Sequence, residues 1–264
     1  MLHFPHRHQI RKRQCMVSYF FLLKQFKDCN IYLDSIKSYM GMDDRFNWNY
    51  GLSLISCEKY SKAEDVLLTV SDESIKLDDD GLYYQWLARC FIMNGRPEKA
   101  WDTFIQLKSL LKSKWETGKK KDKDNPDDGT EDDEGKQGAN CNKLCIILLL
   151  KLIANDCYRM NLFLISARAF SNLEDCFDKS VNTLEERGNE KDHSDRIDCV
   201  RGKRGACVGE FQRLLEKRLG NETKSSNFYQ YKENISELID ILRRPKRDSH
   251  SERIVGTMMK YINF

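Results

Sequence analysis

The chain has little of the two residues that most often interrupt regular structure. Its 264 residues include 14 glycines and four prolines. β-Sandwiches, β-barrels and collagen-like proteins need turn residues far more often than this. With 40% hydrophobic and 32% charged residues, the composition favours a globular helical protein, and the length predicts one or two domains.

Two further features that the sequence lacks exclude whole classes of function. The formal net charge of +3 is too small to require nucleic acid as a partner. The longest nearly uncharged run, residues 144–154, contains Lys151 and falls well short of the about 20 residues that span a bilayer. The ten cysteines lie mostly in apolar helical runs, and no signal peptide precedes them. We therefore expect an intracellular protein with reduced, buried thiols, no nucleic-acid partner and no membrane insertion.

Motifs for catalysis, cofactors and metals are also missing. The chain has no GxxxxGK[ST], GxSxG or HExxH sequence, which predicts that it is not an enzyme and binds no cofactor. His3, His6 and His8 form an HxxHxH cluster, but terminal histidines without further ligands are usually solvated. The basic clusters at 11–13 and 243–247 fit nuclear signals or phosphate contacts, although solvated helix ends are the commoner explanation.

One short phrase does recur along the chain. After an apolar helical run it has a ring or other bulky residue, followed three positions later by a small one. Successive copies are offset by 34, 37 and 67 residues, and the last step is almost twice 34. The four pairs are Phe26 and Cys29, Tyr60 and Ala63, Pro97 and Ala100, and Leu164 and Ala167.

A 34-residue period of this kind is typical of tetratricopeptide repeats, in which two antiparallel helices form each repeat. The small residue should lie where the two helices approach, and the ring should close the turn between them. Asn94-Gly95 and Met160-Asn161 fit a helix end with a left-handed residue, and Pro97 fits the first turn of the next helix. The sequence therefore predicts an all-α, right-handed tetratricopeptide-repeat α-solenoid.

The composition also predicts segment boundaries. Residues 113–140 are rich in Lys, Asp, Glu and Gly and cannot bury enough apolar surface to order themselves. We expect three helical hairpins in 8–112, a disordered charged loop in 113–143, a fourth hairpin in 144–176, a polar loop in 177–198, and helices capping the solenoid in 199–264.

With no catalytic or metal motif, the remaining candidate for function is a surface that binds other proteins. Solenoids of this class bind peptides or helices on a concave face lined by the first helix of each pair. Trp86, Arg89, Asn155 and Tyr158 lie on predicted first helices and form the candidate partner surface. Packing between repeats is the alternative explanation for Trp86 and Tyr158.

Four segments resemble one family closely: QCMVSYFFLLKQFKDCNIYLDSIKSY (14–39), WLARCFIMNGRPEKAW (86–101), LIANDCYRMNLFLISARAF (152–170) and GKRGACVGEFQ (202–212). They are similar to the intraflagellar transport protein 56 family, also called tetratricopeptide repeat protein 26. The resemblance is to the C-terminal half of that family's protein.

The resemblance implies a non-catalytic scaffold or adaptor subunit of intraflagellar transport complex B, without a cofactor. Such a subunit acts in cilium assembly and carries motility-related cargo, in the cilium with its base and tip and in the cytoplasm. The implied partners are ciliary cargo proteins and other complex B subunits, with intraflagellar transport protein 46 expected first.

An alternative is a cochaperone-type module that grips the C-terminal peptide of a chaperone. That function needs Lys, Asn and Arg on consecutive first helices, where this chain has Phe20, Phe21, Leu52 and Leu54.

Overall fold

The computed structural model describes residues 7–77, 81–121, 133–183, 190–220, 226–244 and 248–262. Every regular element in these ranges is a helix, as the sequence predicted. In chain order the helices are α1 (Arg7–Leu22), α2 (Phe26–Met40), α3 (Asp44–Ser56), α4 (Tyr60–Leu67), α5 (Glu73–Lys76), α6 (Leu82–Met93), α7 (Pro97–Lys121), α8 (Asp133–Arg159), α9 (Phe163–Thr183), α10 (Glu190–Gly220), α11 (Ser226–Arg243) and α12 (Ser249–Ile262).

The chain divides into two compact units, Met1–Cys141 and Asn142–Phe264. In the first unit, α1 packs with α2, α3 with α4, and α6 with α7, while the single-turn α5 lies between the second and third pairs. In the second unit, α10 packs on α9 and α11, and α12 packs on α11. This succession of helical hairpins has the pairing of a tetratricopeptide-like solenoid.

The same turn joins the two helices of four hairpins. In the first, the backbone N–H of Lys24 donates to Phe21 O at 3.0 Å, and that of Gln25 donates to Phe20 O at 2.9 Å. This pair of bonds is the Schellman motif, whose penultimate residue is left-handed. The left-handed residues, each two positions before the second helix, are Lys24, Glu58, Gly95 and Asn161, with φ of 57°, 58°, 72° and 58°.

Small residues lie where the paired helices approach, and they define the register of each repeat. Cys29, Ala63 and Ala100 are all buried. Cys29 Sγ contacts Val17 O at 3.8 Å across the first hairpin. Ser166 Oγ donates to Ala154 O at 2.8 Å across the fourth. In both hairpins the two residues are 12 positions apart, so Ser166 is the equivalent of Cys29.

The fourth repeat is therefore one residue out of the predicted register. The predicted pair was Leu164 and Ala167, whereas the turn and the contact across the hairpin assign Phe163 and Ser166. Ala167 is also buried, but it belongs to the core shared with α10, α11 and α12. The ring of Phe163 packs edge-on against Tyr158, as Phe26 packs against Phe21 five residues before it.

Glycines on α10 make room for rings of the preceding hairpin. A Cβ at Gly202 would lie 2.5 Å from Phe170 Cζ, and one at Gly209 would lie 3.0 Å from the ring of Phe163. At Gly205 the nearest atom would be the hydroxyl of Tyr158, at 3.2 Å. The small-residue face of α10 is therefore a packing surface within the second unit.

Helices extend into both segments that the sequence predicted to be loops. In 113–143, α7 continues to Lys121 and α8 begins at Asp133, while residues 122–132 lie outside the described ranges. In 177–198, α9 continues to Thr183 and α10 begins at Glu190, while 184–189 are not described. Lys, Glu and Gln have high helix propensity, which compensates for the scarcity of apolar residues.

Candidate binding surface

The first helices of the hairpins in the first unit, α1, α3 and α6, share a register set by their close-approach residues. These residues are Val17, Gly51 and Ala88, each 12 positions before the small residue of the second helix. Arg11 and Arg45 each lie six positions before such a residue and are both exposed. The same repeat position therefore carries an arginine on two consecutive first helices.

A pocket of about 240 Å³ lies between α1 and α3, with α2 beneath it. Its apolar lining includes Leu33, Ile36 and Phe46, which are buried, whereas exposed Gln14 and Asn49 lie at its rim. Sequence reasoning missed this pocket, because it treated residues 11–13 as a basic cluster in isolation. The 34-residue spacing of Arg11 and Arg45 was the available signal.

Trp86 and Arg89 form a stacked pair on α6. The guanidinium carbon of Arg89 lies 5.7 Å from the centre of the indole ring, a cation–π distance. Both side chains are half-buried. The pair therefore offers a rigid, partly apolar patch, with the charge of Arg89 held against the ring.

Asn155 and Tyr158, the other two predicted surface residues, lie on α8 in the second unit. Asn155 is exposed, and its amide Nδ2 donates to Lys151 O at 2.9 Å within its own helix. Tyr158 is 43% exposed, and its ring contacts Phe163. Packing against the turn thus engages much of Tyr158, which is the alternative that the sequence left open.

Buried charges in both units connect helices. The carboxylate of Glu64, on α4, accepts a hydrogen bond from Asn94 Nδ2 at 2.7 Å and pairs with Arg96 in the turn after α6. In the second unit, Lys203 Nζ lies 2.5 Å from Glu174 Oε2, and both side chains are almost completely buried. Burial raises the pKa of Glu174, and the hydrogen bond and charge of Lys203 offset part of that rise.

Burial also makes several thiols unreactive. Cys29, Cys90, Cys199 and Cys207 are buried. Burial raises the pKa of the last three to about 12, so they are neutral thiols near neutral pH. These residues behave as small apolar side chains of the core.

Neither metal ligands nor membrane spans were found in the described ranges. No group of three or more His, Cys, Asp or Glu side chains is arranged there to hold a metal ion. His3 and His6 of the sequence cluster lie outside those ranges. Within the same parts of the chain, none of the helices combines the length and the apolar character needed to cross a bilayer.

Comparison with known proteins identifies the family of this chain. The profile of the family described as intraflagellar transport protein 56 matches residues 6–113 and 145–263. The chain belongs to the intraflagellar transport protein 56 family. It is also 29% identical, over 209 residues, to the intraflagellar transport protein 56 homolog of Caenorhabditis elegans. No solved structure matches it.

The match to the family profile covers the hairpins and leaves out the charged segment. The unmatched interval, 114–144, coincides closely with the predicted insertion at 113–140. The alignment with the nematode homolog covers 79% of this chain and 27% of the homolog. The chain therefore spans well under half of the length of that intraflagellar transport protein 56 relative.

Proposed function

We propose that this chain is a non-catalytic scaffold or adaptor in intraflagellar transport complex B, acting in cilium assembly and in transport of motility-related ciliary cargo. The observation that carries the proposal is the family match across both units, 6–113 and 145–263. That membership supports a role in intraflagellar transport and an association with the cilium, where we expect the protein at the base and the tip as well as in the cytoplasm.

The fold supports binding rather than catalysis. Stacked hairpins expose the first helices in series, and such faces bind peptides and helices in repeat proteins. The expected partners are other complex B subunits, with intraflagellar transport protein 46 first, and ciliary cargo proteins. We expect Trp86 and Arg89 on α6, and Asn155 and Tyr158 on α8, to contribute to the partner surface; Asn155 and Tyr158 are exposed and the other two are half-buried.

The cochaperone alternative gains no support from the structure. At the positions considered for a carboxylate-binding set, Leu54 is buried and Phe20 stacks on Tyr32 with ring centres 5.4 Å apart. These side chains contribute to packing and cannot bind a terminal carboxylate.

The test is affinity purification of the tagged chain from ciliated cells, followed by identification of the co-purified proteins and imaging of the tag. We expect complex B subunits in the eluate and movement of the tag along the axoneme. The matched control is the chain with Gly202→Trp, which would force a large side chain against Phe170. Co-purification of chaperones without any complex B subunit would contradict the proposal.

A further inference from the structure

The pocket between α1 and α3 has the size and lining for one apolar side chain. Its volume of about 240 Å³ is below the about 300–1,000 Å³ of small-molecule sites. Leu33, Ile36 and Phe46 are 3%, 0% and 7% exposed, so the apolar surface forms a firm floor. A single leucine-sized or phenylalanine-sized group would bury that floor without rearranging the helices.

Basic residues lie on both helices that flank the pocket. α1, RHQIRKRQCMVSYFFL, has four Arg and Lys residues and no acidic residue. Arg45 lines the pocket on α3, and Arg11 lies about one helical turn before the lining residue Gln14 on α1. An anionic segment crossing the two first helices would pass both arginines in succession.

The acidic groups near these cations are already engaged. Asp43 lines the pocket, but its Oδ1 accepts a hydrogen bond from Phe46 N at 2.9 Å. Asp72 lies near Arg45, and it accepts bonds from Ser74 N and Ser74 Oγ at 2.8 and 2.7 Å. These bonds fix the carboxylates but leave them charged, so the excess of positive charge in the groove comes from α1, where no acidic residue accompanies the four Arg and Lys residues.

Exposed amides at the rim supply the remaining recognition chemistry. Gln14 on α1 and Asn49 on α3 each carry a donor and an acceptor group. Peptide backbone has the same two kinds of group. A phosphate surface would use the cations but would leave the apolar floor exposed to water, so the combination favours a polypeptide.

We propose that the α1–α3 groove binds an acidic segment of a partner protein, with one apolar side chain in the pocket and flanking carboxylates at Arg11 and Arg45. The inference rests on the proposed function, because it assigns to this groove one of the contacts between the chain and another complex B subunit. The segment is recognised along its length, so a free C-terminal carboxylate is not required.

The first test is a titration of the full chain with an acetylated and amidated nonapeptide, four glutamates on each side of one leucine, followed by fluorescence anisotropy. We expect saturable binding that weakens as salt rises. Ser18→Trp, at an exposed position of the groove, should fill the pocket and reduce affinity about tenfold, as should replacing the peptide leucine with serine. Arg11→Glu should cause a loss of similar size.

The matched control is Lys62→Glu, an equal change of charge at an exposed position on α4. It should leave affinity within about twofold of the parent, and circular dichroism of all variants should match the parent. Loss of binding in Arg11→Glu with none in Ser18→Trp would show charge attraction without the pocket and overturn the proposal. Absence of saturable binding to the parent chain would overturn it as well.

Purification from ciliated cells separates this inference from the proposed function. If Ser18→Trp loses a complex B subunit that the parent chain and Lys62→Glu retain, both proposals are supported. If the parent and Ser18→Trp recover the same subunits, the groove proposal fails while the proposed function stands. If the parent recovers no complex B subunit but the peptide titration succeeds, the proposed function fails and the groove remains a binding site.

Discussion

Aromatic pairs join helices in the first unit, whereas most of the ion pairs that join helices among the described residues lie in the second. Phe20 stacks on Tyr32 between α1 and α2, and Trp48 lies 6.1 Å from Tyr83 between α3 and α6. Among the described residues of the second unit, ion pairs between helices are Lys151–Asp195, Arg196–Asp178, Lys203–Glu174, Arg168–Glu237, Arg204–Asp248 and Arg243–Glu252.

The two units therefore show that different kinds of interaction can stabilise the same arrangement of helical hairpins. Packing between rings involves no charged group near neutral pH, so the first unit should respond mainly to changes of volume. Buried ion pairs depend on both partners, because removal of one leaves an uncompensated charge in a low-dielectric interior. The second unit should therefore be the more sensitive to pH and to single charge deletions.

The largest expected effect comes from Lys203→Met. It would remove the cation from buried Glu174 and the hydrogen bond to Arg244 O, and we expect a loss of about 3–5 kcal/mol. Amide hydrogen exchange followed by mass spectrometry should show the loss in α9, α10 and α11, with little change in the first unit. Adding Glu174→Met should restore most of the protection, because the double variant has no unpaired charge.

The loss of stability caused by Lys203→Met should depend on pH. The folded protein already raises the pKa of Glu174 above its usual 4.5, so it binds that proton more tightly than the unfolded chain does. The penalty for charging Glu174 is therefore present above the folded pKa and relieved as pH falls toward 4.5. Denaturant unfolding at neutral and mildly acidic pH should show the deficit shrinking on acidification, and a constant deficit would contradict this assignment.

Gly202→Ala tests the volume sensitivity of the second unit. The new methyl group would lie 2.5 Å from Phe170 Cζ, and Phe170 is itself buried. Overpacking of this kind costs about 1–3 kcal/mol. Gly256→Ala on α12 is the matched control, since no atom lies within 4 Å of its new Cβ, and it should stabilise the helix.

Substitutions at the left-handed turn residues, which occur in both units, should change the free energy of unfolding by smaller amounts, in either direction. Gly95→Ala should cost about 1–2 kcal/mol, because its φ is +72° and no atom lies within 4 Å to add a steric term. Glu58→Gly should stabilise the first unit by about 1 kcal/mol, since Glu58 has the same conformation. Asn161→Gly in the second unit should gain less, because Asn tolerates this conformation. Thermal unfolding measures all three, and a destabilised Glu58→Gly would contradict the turn assignment.

Asp248→Ala should cost about 1 kcal/mol, through loss of the cap at the first turn of α12. Asp248 Oδ1 accepts bonds from the N–H groups of His250 and Ser251. Burial alone would raise the pKa of Asp248, but the bonds from Ser251 and Arg204 outweigh it and lower the pKa to about 2. The contribution should be complete above pH 3.8 and lost as pH falls through about 2, so parent and variant should converge in strong acid.

The sequence predicted the hairpins well where small residues and turn formers coincide. Gly95 and Asn161 are left-handed, as their chemistry indicated. Lys24 and Glu58 occupy the same conformation without any such signal, because tertiary packing overrides a local preference of about 1–2 kcal/mol. The fourth register was missed because Ser166 fills the small position and the adjacent Ala167 imitates it.

The sequence did not predict which charged residues pair across helices. Nothing in the segment RGKRG indicates that Lys203 is buried, yet it is 1% exposed and pairs with Glu174, 29 residues earlier. The polar appearance of 177–198 concealed helical ends that Lys151–Asp195 and Arg196–Asp178 hold together. Charged residues that pair across helices look like solvated residues when they are read along one helix.

We expect the hairpins, and not the charged segment outside the family match, to bind the partner proteins. The most direct measurement compares complex B subunits purified with the parent chain, with a deletion of 122–132, and with a deletion of 86–101. We predict that the first deletion keeps the subunits, because residues 122–132 lie within the interval 114–144 that the family match leaves out. We predict that the second deletion loses them, because it removes most of α6, the turn after it and the start of α7. Loss of the subunits in the 122–132 deletion, with retention in the 86–101 deletion, would contradict the account.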